Sequence, residues 1–350
     1  MKTVFYSLAV LSFLALALLL PGCTPYDNLD PDAFKEASRA PEARIVDVRT
    51  PEEFAEGHLP RAVNCDWKGE DFLQKMEATF DKSAPLYIYC RTGRRSAEAA
   101  EVLAKAGYEV CNLTGGIEGW KQDGKPVTKY DVERFMTNQD NPVDITLVKH
   151  GTLAIAYGDF TIQIDPVTKL GKETNYATEF PKANVILITH EHGDHLDSAA
   201  IEALTDDETL LLLNPRSRDI LGWGDTVTNG EQRGLAEDIL LEAVPAYNTT
   251  PGRENFHPKG NGNGYVLTID GLRIYIAGDT EDIPEMAELK DIDVAFLPVN
   301  QPYTMTVEQC VNAAKTIHPR VLIPYHFGQT DLSALPALLP EIDVRLRQMQ

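Results

Sequence analysis

Three of the chain's eight histidines fall within six residues, His190-Glu191-His192-Gly193-Asp194-His195, directly after an apolar run at 185–188. Imidazole and carboxylate together form a ligand set suited to zinc, iron or manganese. Alternating residues of a turn aim His190 and His192 at one ion. Asp194 and His195, opening the helix that follows, aim at a neighbouring point, so the spacing accommodates two metals. Further strand ends deliver Asp279, in Gly278-Asp279-Thr280, and His326, after the run at 321–325, and a loop brings His257 in Phe256-His257-Pro258. Two divalent ions make a strong nucleophile of water at neutral pH and polarise the oxygen of the bond under attack. The expected chemistry is hydrolysis of a small-molecule ester, lactone, amide or phosphodiester, with Asp194 serving as both ligand and catalytic residue.

A second reactive group lies earlier in the chain. The apolar run Leu86–Tyr89 leads into Cys90-Arg91-Thr92-Gly93-Arg94-Arg95, and Ser96 opens a helical pattern carrying Ala99, Ala100 and Leu103. Backbone N–H groups of such a loop, the helix dipole and three arginines all favour a thiolate, which makes Cys90 a nucleophile inside an anion-binding loop. Cys65 and Cys111 sit in strand patterns and Cys310 in a helical one, where small buried hydrophobes are expected. A disulfide between Cys65 and Cys111 stays open, because sequence does not fix its geometry.

The elements that position these groups divide the chain of 350 residues into two regions. From 38 to 124, short strands at 45–48, 62–65, 86–89 and 109–113 alternate with helical patterns at 51–56, 71–80 and 96–106, the rhythm of a parallel α/β sheet. From 125 to 142 the chain turns polar and reads as a linker with one short helical pattern at 131–136. From 143 to 350, ten strand patterns come first in hairpins, with an Asp270-Gly271 turn signal, and later with helices between them. Two sheets covered by helices follow.

Charge narrows the function class. Thirty-two Lys and Arg against 53 Asp and Glu give −21, which excludes recognition of nucleic acid by phosphate neutralisation and polybasic attachment to anionic lipid. Five cysteines are too few for a disulfide scaffold. The first 22 residues have Lys2, an apolar run from Val4 to Leu20 and a small-residue ending, the pattern of a secretory signal.

Each region carries a resemblance. Leu20-Pro21-Gly22-Cys23 resembles the bacterial lipobox, although Pro21 departs from the usual residue there. That resemblance implies a lipid-modified Cys23, a polar tether over 23–37 and an extracytoplasmic, membrane-anchored lipoprotein. Residues 45–54, Gly57-His58-Leu59-Pro60, Cys90 to Arg95, and Gly115-Gly116-Ile117 with Trp120 resemble a single-domain rhodanese. By that resemblance Cys90 takes sulfane sulfur from a donor such as thiosulfate and passes it to a thiol acceptor, and Arg95 closes the loop on the anionic persulfide. Asp47 and Arg49 form a structural pair, and His58 is a hydrogen-bonding residue.

The H-x-H-x-D-H string, Gly278-Asp279-Thr280 and the late His326 resemble the metallo-β-lactamase superfamily. The strings at 164–166, 244–248, 275–280, 303–306 and 323–326 are similar to its compact lactonase-like and phospholipase D-like branch. The fold implied is an α/β rhodanese-like domain followed by an αββα metallo-β-lactamase sandwich. The ligand set implied is His190, His192 and a third histidine for one ion, Asp194, His195 and His326 for the other, and Asp279 between them, with zinc the first expectation and manganese or iron the alternatives. Asn248 stands where many members of that branch supply the third histidine, and His257 is the substitute. His150 is expected to play a supporting part and His318 to lie at the surface. Two rival readings remain: a persulfide dioxygenase with one iron held by two His and one Asp, and a lipoprotein in which one domain only binds a partner.

Overall fold

The computed structural model describes residues 26–171, 173–347 and 349. The signal segment and the lipidation candidate Cys23 lie outside the described residues. Among those described, no helix is long and apolar enough to cross a membrane.

Three sheets organise the chain. The first is parallel throughout, in the order Asp27–Leu29, Val110–Leu113, Leu86–Tyr89, Arg44–Asp47, Val63–Asn64. Its strands alternate their side chains between two cores, as a period of two requires. Val46, Leu86 and Ile88 pack with Ala99, Ala100 and Leu103 of the helix Arg94–Lys105 on one face, and Ile45, Tyr87 and Tyr89 pack with Phe34 and Trp120 on the other. Cys65 belongs to the first core and Cys111 to the second, and both are free thiols, so the sheet itself separates them.

Two expectations are corrected here. The polar tether over 23–37 is in part structure: Asp27–Leu29 pairs with the sheet edge, and Pro31–Ala37 is a helix. Asp30 caps that helix by accepting from Ala33 N at 2.8 Å, with Pro31 pre-set for the first turn. Its apolar face is a single fully buried ring, Phe34, edge-on to Tyr87 and Trp120, which a composition reading passes over. The helical pattern at 131–136 in the linker is the strand Asp131–Met136, antiparallel to Pro142–Lys149. Its inward residues are Glu133 and Phe135, and the charge on Glu133 hides the alternation.

The remaining two sheets have seven strands each. One runs Asp225–Thr226, Leu210–Leu213, Val185–Ile188, Phe160–Ile164, Thr152–Tyr157, Pro142–Lys149, Asp131–Met136. The other runs Gln232–Ala236, Ile239–Ala246, Gly262–Ile269, Leu272–Ile276, Val294–Pro298, Val321–Tyr325, Asp343–Val344. Ile145, Ile155, Ile164 and Leu187 of one meet Leu241, Leu267, Ile274 and Ile323 of the other in a shared core. The outer faces are covered by Ser198–Leu204 on the first and by Val307–Ile317, with buried Cys310, on the second. The result is the expected αββα sandwich. Asp270 and Gly271 form the expected hairpin turn, both with positive φ.

Candidate functional site

The candidate ligands leave from the carboxyl ends of strands in both sheets of the sandwich or from adjoining loops. Asp165 follows Phe160–Ile164, His190 and His192 follow Val185–Ile188, Asp279 follows Leu272–Ile276, and His326 follows Val321–Tyr325. The structure brings all seven candidate ligands together. His190, His192 and His257 form one group, His150, Asp194, His195 and His326 a second, and His190, His195 and Asp279 a third. Within each group, one ligand atom per residue lies within 4.8 Å of the others.

Asp279 sits between the groups. One of its oxygens is 3.2 Å from His257 Nε2 and 3.3 Å from His326 Nε2, and the other is 3.4 Å from His195 Nε2. None of these approaches is a hydrogen bond: His195 Nε2, His257 Nε2, His326 Nε2 and Asp279 Oδ1 are all buried without a partner. Buried polar atoms are normally satisfied. Four unsatisfied ones converging on a shared space, from residues whose lone pairs suit a borderline metal, fit a metal centre.

The far sides of the ligands are held. Asp165 Oδ2 accepts from His195 Nδ1 at 2.7 Å and from Thr189 Oγ1 at 2.6 Å, and Asp165 Oδ1 accepts from Thr189 N at 2.7 Å. Thr189 Oγ1 in turn lies 3.0 Å from His190 Nδ1. His257 Nδ1 lies 3.2 Å from Asn248 Oδ1, and Asn248 N donates to the His257 carbonyl at 2.9 Å. The residue standing in place of the expected histidine therefore positions its substitute. His150 Nε2 is 3.1 Å from Asp194 Oδ2 and its ring packs on His326, so it supports the second group. His318 is exposed at a helix end.

Electrostatics follow from this crowding. Burial, reinforced by the neighbouring His195 and opposed by Asp279, pushes His190 well below the ordinary imidazole range. Burial also opposes charge on His195, but Asp279, Asp165 and Asp194 outweigh it and raise the imidazole to about 10. Burial would raise the Asp279 carboxyl, yet His326 and His195 hold it well below the usual carboxylate range. His150, Asp165 and His326 each hold a positive φ between 44° and 47°, a conformation costing about 1–3 kcal/mol for non-glycine residues and concentrated at functional sites. Gly151 lets the chain pass His195, since a Cβ there would stand 2.8 Å from its ring.

In the first domain, Cys90 lies at the carboxyl end of Leu86–Tyr89, buried, with Gly93 N donating to its sulfur at 3.2 Å and Ser96 Oγ at 3.5 Å. Burial would raise the thiol, but Ser96 and the backbone N–H groups of Ser96, Thr92 and Gly93 bring it below its ordinary value. Gly116 closes the other side: a Cβ there would meet the Cys90 carbonyl at 2.4 Å, and Ile117 N donates to that carbonyl at 2.9 Å.

The arginines are not free counter-charges. Arg95 directs both end nitrogens onto Glu53, at 2.8 and 2.7 Å, instead of reserving them for the sulfur. Arg91 stands 3.6 Å from Glu118, and Arg94 and Thr92 are exposed. Asp47 and Arg49 form a buried pair at 2.6 Å, and His58 Nδ1 contacts the Phe54 carbonyl at 3.1 Å. Sequence reading did not foresee Asp165, Thr189 and Glu53 as partners. Asp165 stood only inside the string at 164–166 and Glu53 inside the motif at 45–54, where the Thr50 and Glu53 spacing of a helix capping box was a further local signal.

Residues 144–326 match the family described as the beta-lactamase superfamily domain, and residues 30–123 match the rhodanese-like domain. A metal-dependent hydrolase of Archaeoglobus fulgidus is 31% identical over 193 residues, covering 53% of this chain and 83% of its own. The crystal structure of a protein from Parabacteroides distasonis, named as a metal-dependent hydrolase, is 51% identical with a TM-score of 0.61, covering 63% of this chain and 100% of its own. A rhodanese-related protein of Thermoplasma volcanium is 26% identical with a TM-score of 0.27, covering 30% of this chain and 99% of its own.

Proposed function

From a chain that belongs to the beta-lactamase superfamily and carries a rhodanese-like domain ahead of that fold, we propose a membrane-tethered, extracytoplasmic enzyme with two active sites, a dinuclear metal hydrolase and a sulfurtransferase. The protein is a metal-dependent hydrolase of this superfamily with a rhodanese-like domain.

The observation that carries the two-ion reading is the pair of ligand groups on either side of Asp279 with their unsatisfied buried nitrogens. His190, His192 and His257 would hold one ion, Asp194, His195 and His326 the other, with Asp279 between them. When bound, such a pair activates water and polarises the oxygen of the scissile carbonyl or phosphoryl group. The chain's own residues supply the rest. Asp165 and Asn248 fix the His195 and His257 rings from behind, and Asp194, whose side chain is 38% exposed, is placed to orient the attacking water while His150 holds its Oδ2. A lactone or phosphodiester is the substrate class suggested by the strings that resemble the lactonase-like and phospholipase D-like branch. Zinc is the first expectation from the five histidines and two carboxylates of the set.

The test is metal content with activity. The purified protein should carry about two ions per chain, and Asp194→Ala or His326→Ala should remove about one and nearly all hydrolysis. One iron per chain, with persulfide-dependent oxygen uptake that survives His326→Ala, would overturn this in favour of a dioxygenase. In the first domain, the thiol held by loop N–H groups supports a Cys90 that accepts sulfane sulfur and hands it to a thiol. Lipid attachment at Cys23 rests on the lipobox-like string alone.

A further inference from the structure

We propose that the Cys90 site takes its sulfur from donors that carry at most one negative charge, such as an organic persulfide, in preference to a dianion such as thiosulfate, and that Glu53 sets this preference. The inference rests on the sulfurtransferase reading above and names the donor class for that site.

Three arginines of this domain each face a carboxylate. Arg95 is spent end-on against Glu53, Arg49 against Asp47 at 2.6 Å, and Arg91 faces Glu118 at 3.6 Å. Arg94 is exposed. The Glu53–Arg95 pair is partly buried, with side chains 29% and 16% exposed, so solvent screens it incompletely. The Arg95 bond holds the Glu53 carboxyl down to about 2, with burial opposing, which keeps it ionised at any working pH. Glu53 dominates the Arg95 fork, and the Cys90 sulfur contributes a smaller attraction to the same guanidinium. The thiolate is consequently stabilised by uncharged donors, Ser96 Oγ and loop N–H groups, in a region where Arg95, Arg49 and Arg91 face carboxylates and Arg94 is exposed to solvent.

Transfer from a persulfide is Cys90–S⁻ + R–S–SH → Cys90–S–S⁻ + R–SH. The donor S–S bond breaks, a new S–S bond forms at Cys90, and the proton goes to the leaving thiol. Transfer from thiosulfate is Cys90–S⁻ + S–SO₃²⁻ → Cys90–S–S⁻ + SO₃²⁻. Both balance without an outside oxidant, but the second gathers three negative charges, and the matched arginines leave little to offset them.

Glu53→Gln tests this while sparing the fold, because glutamine also serves the third position of the helix capping box that Glu53 shares with Thr50. Cys90 in the full chain would be alkylated with neutral iodoacetamide and anionic iodoacetate and followed by mass spectrometry. Loading of Cys90 would be timed in parallel with thiosulfate and with 2-mercaptoethanol persulfide. Removing the unit charge that matches Arg95 should raise the iodoacetate-to-iodoacetamide rate ratio and the thiosulfate loading rate about tenfold, and change persulfide loading less than about threefold. Arg95→Gln should move the alkylation ratio in the opposite direction. A Glu53→Gln ratio within twofold of the parent would overturn the assignment of Glu53. A parent that thiosulfate loads faster than the persulfide would overturn the donor preference. A parent that neither donor loads would overturn the sulfurtransferase reading and the donor preference with it, even where the alkylation ratio moves.

Discussion

Asp165→Asn is the substitution that most directly probes how the metal centre is held. The carboxylate is buried, accepts three bonds of 2.6–2.7 Å, and through Thr189 and His195 reaches both ligand groups. Its φ of 45° is one that asparagine tolerates as well as aspartate does, so the exchange removes charge and one acceptor without adding backbone strain. Losing a charge-assisted bond to the His195 imidazole is worth about 1.5–3 kcal/mol, which corresponds to roughly a 10–100-fold loss of metal affinity, the range found for partners of metal-bound histidines.

A proton competes with the metal. In the metal-free protein His195 is raised to about 10, so an ion must displace a proton at neutral pH, and removing Asp165 lessens that competition. The same raised value stabilises the metal-free fold fully below the unfolded imidazole pKa of about 6.5, a contribution lost as pH rises through about 10. The affinity gap between parent and Asp165→Asn should therefore widen from pH 7 to pH 9, read by zinc competition against a chromophoric chelator. Thr189→Val, which cuts the arm to His190 and one bond to Asp165 but leaves the Asp165 bond to His195, should weaken the His190, His192 and His257 group and leave the pH dependence of the other in place. An Asp165→Asn protein binding zinc within threefold of the parent at pH 9 would refute the reasoning.

Two further outcomes are expected. Because uncharged donors lower the Cys90 thiol, its alkylation by iodoacetamide should reach half-maximum at a lower pH than an ordinary thiol at about 8.5. The linked stability, absent in Cys90→Ser, should be fully present above the unfolded value and fade as pH falls through the folded one; a midpoint at or above 8.5 would count against the loop's role. Cys23→Ser should release the protein from membranes into the soluble fraction, and a mass showing an intact Met1 terminus would remove the lipid anchor.

Much of the chemistry was legible because it is local in the chain. His190, His192, Asp194 and His195 occupy one turn, and Cys90 to Ser96 one strand-to-helix loop, so residue type and spacing sufficed. Asp279 and His326 were legible as polar residues at the ends of apolar strands. The two domains followed from the change in strand rhythm, although the elements at 27–37 and 131–136 did not. Each of those depends on partners far along the chain: Phe34 on Tyr87 and Trp120, and Glu133 on Arg345 and Arg347, which bond it at 2.6 and 2.5 Å from more than 200 residues away.

The same distinction separates ligands from the groups that hold them. The sequence by itself determined which side chains can bind metal or carry sulfur, because those capacities belong to the imidazole, the carboxylate and the thiol. Only the tertiary structure decided that Asn248 turns His257 inward, that Asp165 stands behind His195, and that Glu53 claims the Arg95 fork from 42 residues away. Those outcomes depend on which polar group fills the remaining hydrogen-bonding position of another, and that is settled by approach in space between segments whose sequences carry no mark of each other.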